Sequence, residues 1–238
     1  MDYFYCPPEK ITGDSVLIDG DEFSHLVRVM RKKEGDAIRV VDGEGCAYEV
    51  TLGEMKKKQA TGTITAAYRN HREPALRLTL AVGVLKNPSR FDFLVEKVTE
   101  LGVHEIIPIK TERTIPSHAK TERWQKLALA AMKQCGRAYL PRVRELTSLD
   151  DLLENCSKYD LRLVAHEQTE SATSLQSHLA ILHKTVLVLV GPEGGFSEHE
   201  IEMCLAKGCA AFSLGERRLR TETAAIAVAA QIGSIVLK

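Results

Sequence analysis

No window of this sequence approaches the roughly 18 apolar residues that a membrane-spanning helix needs. The opening residues, Met1-Asp2-Tyr3-Phe4-Tyr5-Cys6-Pro7-Pro8, lack the basic start and apolar run of an export signal, so the expected location is the cytosol. There is no CxxC pair and no HExxH. The six cysteines (Cys6, Cys46, Cys135, Cys156, Cys204 and Cys209) stand apart, which argues against a disulfide framework or a zinc site. They are expected to be inert thiols acting as small hydrophobes, with no metal. Neither sign of charge is in excess: 32 Lys and Arg against 32 Asp and Glu leave a net charge of zero, which argues against coating nucleic acid by bulk attraction. The phosphate-binding patterns GxxxxGK[ST] and GxGxxG are also missing, so a nucleotide phosphate is not the expected cargo.

What is present is 238 residues, 44% hydrophobic and 27% charged, the composition of a globular protein with one large domain or two of ordinary size. The charge is unevenly spread. From Lys110 to Arg144 there are nine Lys or Arg and only two acids, Glu112 and Glu122. A second run, His25 to Lys33, holds four positive charges and no acid. Either run alone reads equally well as a solvated helix face; the two together favour a phosphate-bearing partner.

Residues 1–72 read as a small β-rich domain suited to a barrel. Short β-branched runs at Val16–Ile18, Ala37–Val41, Ala47–Leu52 and Ala60–Thr65 are separated by turn signals such as Asp42-Gly43-Glu44-Gly45. Gly20 to Lys32 reads as one helix with Phe23, Leu26, Val27 and Met30 inward and His25, Arg28, Arg31 and Lys32 towards solvent. The polar stretch ending in Pro74 marks a boundary, and residues 73–238 then alternate strands with helices, the pattern of a parallel α/β sheet. Predicted strands are Leu76–Val82, Glu105–Ile109, Leu161–Ala165, Val186–Val190 and Ala211–Leu214. Helices are expected after Ser89, from Thr121 to Tyr139, after Ser148, after Ser197, and from Thr223 to Leu237, the last apolar nearly all round.

Two strand-to-helix junctions carry the chemistry. The first is Gly191-Pro192-Glu193-Gly194-Gly195-Phe196, whose glycines let backbone approach a ligand closely. The second is Leu214-Gly215-Glu216-Arg217-Arg218-Leu219-Arg220-Thr221-Glu222-Thr223, read as lying at the end of the neighbouring strand. Open α/β sheets place ligands outside the carboxyl ends of their strands. Three arginines in four residues on such a loop suit an anionic partner, either RNA phosphate or a developing negative charge.

GPEGGFSEHE followed by LGERRLRTETA resembles the paired signature of the RsmE methyltransferases, SPOUT-class enzymes that methylate N3 of a uridine in 16S ribosomal RNA. The resemblance extends to Phe23–Arg31, to Lys97–Val103 with Pro108 and Arg113, and to Arg123-Trp124 with Gln134–Arg137 and Pro141. Arg218 departs from it, standing where the family usually has an aliphatic residue, and so does the lack of an arginine just after Met1.

The resemblance implies an α/β domain with a C-terminal trefoil knot, an N-terminal PUA-like RNA-binding β-barrel, and a homodimer with the site near its subunit interface. It also implies S-adenosylmethionine as cofactor. By this resemblance, cofactor contacts fall to Gly191, Pro192, Gly194, Gly195, Leu214, Gly215, Leu219, Arg220 and Thr223. Arg220 is the expected stabiliser of the uracil anion, with Glu222 or Glu193 as proton acceptor, or as simple partners of nearby arginines. The 16S rRNA of the small subunit would meet His25, Arg28, Arg31, Lys32, Arg113, Lys133 and Arg137. A non-catalytic RNA-binding assembly factor, and a methyltransferase for another base or a ribose hydroxyl, are the alternatives.

Overall fold

The structure, a computed structural model, describes residues 3–166, 174–179 and 183–236. By packing, the chain divides into two units. One runs to Glu73 and takes in Leu129–Leu140; the other holds Pro74–Ala128 and the chain from Pro141 onward.

In the first unit, strands β1 (Tyr3–Tyr5), β2 (Ile11–Thr12) and β3 (Ser15–Asp19) precede a short helix α1 (Gly20–Ser24). Strands β4 (Ala37–Val41), β5 (Cys46–Met55) and β6 (Gln59–Arg69) follow. By its hydrogen bonds the expected small barrel is a six-stranded sheet in the order β1-β4-β5-β6-β3-β2. Only the β1–β4 pairing is parallel; it brings Phe4 beside Val40, in a core with Val16, Ile18, Leu26, Ile38 and Val50. Gly62 is required mid-strand because a Cβ there would lie 2.4 Å from Val50 Cγ1. Burial pushes the Cys6 thiol in this core up to about 11, consistent with an inert sulfur.

The expected helix to Lys32 changes winding after Ser24. Through His25–Val29 the turn widens, so that the Met30 N–H reaches the carbonyl of His25, five residues back, at 3.0 Å. Each residue then rotates less about the axis than in an α-helix. Leu26 stays buried, but Val27 is 37% and Val29 63% exposed, so Val27 does not point inward as its spacing suggested. His25, Arg28 and Arg31 are exposed and Lys32 is half-buried, with Arg31 at φ 52° closing the turn.

The second unit carries β7 (Arg77–Gly83), α2 (Pro88–Glu100), β8 (Glu105–Lys110), α3 (Thr121–Cys135), β9 (Arg142–Val143), β10 (Thr147–Ser148), α4 (Leu149–Glu154), β11 (Leu161–Ala165), α5 (Leu175–His178), β12 (Thr185–Val190), α6 (Glu198–Ala206), β13 (Ala210–Phe212) and α7 (Thr221–Val236). Its sheet runs β10-β8-β7-β12-β11-β13, with β9 also on β8, and every pairing is parallel. Parallel sheets are covered on both faces, which is why β12 reads TVLVLV with Val186 to Val190 all buried.

Helix starts follow side-chain capping, with two shifts from the sequence reading. Helix α2 is capped by Asn87, which accepts from the Ser89 N–H at 3.0 Å with Pro88 in the first turn; Ser89 is not the cap. Helix α7 begins at Thr221 rather than Thr223, and its expected end at Leu237 lies outside the described residues. Ser148 caps α4, and Ser197 with Glu200 forms a full capping box on α6. Helix α3 stops at Cys135, short of Tyr139, where Gly136 adopts φ 72°.

Folding pairs four of the nine basic residues from Lys110 to Arg144 with acids. Arg123 pairs with Asp92, Arg144 with Glu105, and Lys133 with Glu22. Arg137 is only 4% exposed; its guanidinium meets both oxygens of Glu73, whose Oε1 also accepts the N–H groups of Ala138 and Tyr139. Arg137 therefore holds Leu129–Leu140 in the first unit and is not available to RNA, and Lys133 is largely committed to Glu22.

Removing one partner of a buried pair leaves an uncompensated charge. Glu73→Ala is expected to cost about 3–5 kcal/mol, and Arg137→Met distinctly less because the Glu73 carboxylate then keeps the Ala138 and Tyr139 N–H groups as partners. Chemical denaturation of both variants checks this; equal costs would count against the account.

Candidate functional site

Strand order decides what the two glycine loops enclose. The sequence reading sets β13 beside β12, but β11 lies between them: Val164 is in register with Leu189 on one side and Ala211 on the other, and Ala165 with Phe212. The carboxyl ends of all three strands thus line up. The loops after β12 and β13 flank a cleft of about 500 Å³, with Ala165 and His166 between them. Those two residues carry no glycine or turn signal, and only the strand order brings them to the site.

The first loop is held at four points. Gly195 adopts φ 69° and donates to the Pro192 carbonyl at 2.9 Å, closing a turn over which a Cβ on Gly191 would come 3.0 Å from the Gly195 carbonyl carbon. Glu193 Oε1 accepts the Lys86 N–H at 3.0 Å, and the Gly194 carbonyl accepts from Arg113 Nη1 at 2.8 Å. Beneath the loop, Gly83 at the end of β7 leaves no room for a side chain: a Cβ there would lie 2.4 Å from Pro192 N. The buried Glu200 carboxylate joins the start of α6 to the segment after β8 by accepting from the Ser197 and Glu112 N–H groups at 2.9 and 2.7 Å.

The second loop turns at Gly215, φ 106°, whose N–H donates to Ser213 Oγ at 3.1 Å. Thr221, the first residue of α7, donates from Oγ1 to the Gly191 carbonyl at 2.9 Å and so ties the two loops together. Counting the helix from Thr223 in the sequence hid this role. Gly191, Pro192, Gly194, Gly195, Leu214, Gly215, Leu219 and Arg220 all line the cleft. Thr223 is exposed and is not among the lining residues; Thr221 and Ala224 take that place.

Five arginines line the cleft (Arg90, Arg113, Arg217, Arg218 and Arg220) against two acids, Glu193 and Glu198. Positive charge is thus concentrated at the cleft, and four of these five arginines come from outside the Lys110–Arg144 run. Of the acids considered for chemistry, Glu193 is exposed in the cleft, whereas Glu222 is 7% exposed, does not line it, and faces Arg90. Arg113 belongs to the cleft wall, while His25, Arg28, Arg31 and Lys32 belong to the first unit. Among the described residues there is no group of three or more side chains able to hold a metal ion, and no helix is long and apolar enough to cross a membrane.

Residues 71–233 match the RNA methyltransferase domain family and residues 18–65 the RNA methyltransferase PUA domain family. The ribosomal RNA small subunit methyltransferase E of Bacillus subtilis strain 168 is 31% identical over 218 residues, 87% of this chain and 85% of that protein. The crystal structure of the protein of that name from Neisseria gonorrhoeae, bound to S-adenosyl methionine, superposes with a TM-score of 0.87 at 30% identity, covering 99% of this chain and 98% of the other. A Legionella pneumophila protein solved with bound cofactor SAM superposes at 0.84 with 29% identity over 98% and 97% of the two chains.

The packing of Gly83 under Pro192 gives a direct test of how the first loop is built. Gly83→Ala is expected to destabilise the second unit by about 1–3 kcal/mol through overpacking, read as a lowered denaturation midpoint at unchanged m-value. An unchanged midpoint would mean that the loop yields freely.

Proposed function

This chain belongs to the RNA methyltransferase family that includes ribosomal RNA small subunit methyltransferase E, and on that premise we propose that it methylates N3 of a uridine in 16S ribosomal RNA. S-adenosylmethionine is the methyl donor. The observation that carries this reading is the cleft at the carboxyl ends of β12, β11 and β13, which combines a glycine-turned backbone wall with a rim of arginines.

The cleft suits such a donor on its own chemistry. Its volume falls in the range of small-molecule sites. Val190, Leu214, Leu219 and Ala224 supply apolar surface for a base and the methylenes beside the sulfonium. At Gly195 and Gly215 the backbone lies open, with nothing within 4 Å of the Cβ position. A P-loop is unnecessary because the donor has no phosphate. Gly191, Pro192, Gly194, Gly195, Leu214, Gly215 and Leu219 would hold it, with Thr221 fixing the distance between the loops. When bound, S-adenosylmethionine supplies an electrophilic methyl group.

The chain's residues supply the rest. They must hold the acceptor nitrogen in line with the donor, and they must favour loss of the N3 proton, since the neutral imide is a poor nucleophile. Arg220, which lines the cleft, would stabilise the resulting anion, and Glu193, one of the two acids that line it, would accept the proton. A uridine in folded RNA reaches such a site by flipping out of its stack.

RNA contacts fall to His25 and Arg28 on the widened turn of the PUA unit, to Arg31 and Lys32 just after it, and to Arg113 at the cleft. Lys133 and Arg137 leave this group because acids already hold them. A trefoil knot through the two glycine loops and pairing as a homodimer complete the proposal. The first rests on the family to which the chain belongs, and the exposed or half-buried stripe Thr223, Ala227 and Ala230 on the apolar helix α7 supports the second. The expected place of action is the small ribosomal subunit in the cytoplasm.

Mass spectrometry of 16S rRNA from a strain lacking the protein should show loss of one N3-methyluridine, restored by the wild-type chain; an unchanged nucleoside profile would refute the assignment. Arg220→Ala should lose turnover far more than affinity for S-adenosylhomocysteine, and equal transfer rates in variant and wild type would remove Arg220 from catalysis. RNA affinity should fall linearly with the logarithm of salt concentration, and Arg28→Ala should reduce that slope by about 1; a slope indifferent to the substitution would take Arg28 off the RNA surface.

A further inference from the structure

We infer that Arg90 is a further functional residue of the cleft, a fixed guanidinium that stabilises negative charge developing on the acceptor base, and that Glu222 is the residue that positions it. This inference rests on the methyl-transfer reading above and deepens it.

The five cleft arginines are not equivalent. Arg113, Arg217, Arg218 and Arg220 lie on loops and are exposed. Arg90 stands in the first turn of α2 and is half-buried, with Nε 3.8 Å from Glu222 Oε1. The start of α2 is itself anchored, since Asn87 caps the helix and the Lys86 N–H donates to Glu193 of the first glycine loop. A guanidinium carried on an anchored helix start beside a buried carboxylate has less reorganisation to undergo than one on an exposed loop when charge develops in front of it, and low reorganisation is the condition under which a donor contributes most to a transition state. Its Nε side meets Glu222, leaving the terminal nitrogens to offer an oxyanion, and a deprotonated uracil carries its charge largely on its two carbonyl oxygens.

Glu222 has features that a merely structural acid at this position would not need. It is the second residue of α7 and is 93% buried by its 7% exposure, yet its Oε2 has no hydrogen-bond partner among the described residues. Burying a carboxylate with one oxygen unpaired is costly, and the helix N-terminus offsets only part of that cost. The cation set beside it is Arg90. Because Glu222 does not line the cleft, its influence on a ligand passes through that arginine. Glu222 is thus a positioning residue, and the proton-acceptor role considered for it from the sequence passes to Glu193.

The test compares wild type with Arg90→Met, Arg90→Lys, Glu222→Gln and the Arg90→Met/Glu222→Gln double variant. Each is assayed for single-turnover methyl transfer to ribosomal RNA, calorimetric affinity for S-adenosylhomocysteine, RNA affinity and thermal unfolding. Arg90→Met should slow transfer about a hundredfold while both affinities hold, and Arg90→Lys should recover part of the rate. Glu222→Gln should slow transfer too, and the double variant should be no slower than Arg90→Met alone, as expected when one residue acts through another. An unchanged rate in Arg90→Met overturns the inference. So does a loss confined to S-adenosylhomocysteine affinity, which would give Arg90 to the donor's carboxylate, or one confined to RNA affinity, which would give it to a phosphate. Additive losses in the double variant overturn the positioning role. If Glu222→Gln unfolds, Arg90→Met, a change at a partly exposed side chain, decides the matter alone. Wild type that binds S-adenosylhomocysteine but transfers nothing to ribosomal RNA would overturn the substrate reading and this inference together, and it is recognised by the failure of the wild type itself.

Discussion

The parallel register of three strands, β12 beside β11 beside β13, is the constraint from which the site follows. Because all three run the same way, their carboxyl ends finish at one edge of the sheet. Each then needs a loop to turn its chain back, and two of those loops carry the glycines that let the backbone turn sharply and stay open to a ligand. The sheet also sets the tolerance of the site. Gly83 at the end of β7 lets Pro192 pack directly on the sheet, so the first loop has a rigid floor. Thr221 then fixes the second loop to the first through a single hydrogen bond.

Charge is distributed by the same logic. A run of basic residues in a sequence shows only that cations are close along the chain; whether they face a partner depends on which acids folding brings to them. Asp92, Glu22, Glu73 and Glu105 each come from distant stretches to meet Arg123, Lys133, Arg137 and Arg144. On the cleft five arginines stand against two lining acids; of these Glu193 is tied to the Lys86 backbone, and Glu222 lies below the surface. Local concentration, with no net charge on the whole protein, is how a neutral chain can recognise a polyanion.

Much of this was legible in the sequence. The strand runs and the Ser148 and Ser197 helix starts depend on neighbours two to four residues apart, and periodicity and capping read such neighbours directly. The glycine loops announced themselves for the same reason. The errors lie where the decisive partner is remote or the local geometry is unusual. The widened turn at His25–Val29 changes which residues face inward, so Val27 is exposed although its spacing fits an α-helical core position. Tyr3–Tyr5 becomes a strand only because β4 is there to pair with it.

The sequence by itself determined the alternation of elements, the two loops able to hold a ligand, and, through its resemblance to a known family, the chemistry to expect from them. Tertiary structure alone decided that β11 separates the two loop-bearing strands, that Ala165 and His166 lie between the loops, that Arg137 and Lys133 are held by acids, and that Arg90 reaches the cleft beside a buried Glu222. The physical reason is range. Hydrogen bonds within a helix turn or a tight loop join residues a few positions apart, whereas the strand pairs of the site and the ion pairs named above join residues from 25 positions apart (Leu161 to Val186) to 132 apart (Arg90 to Glu222), and no local pattern encodes them.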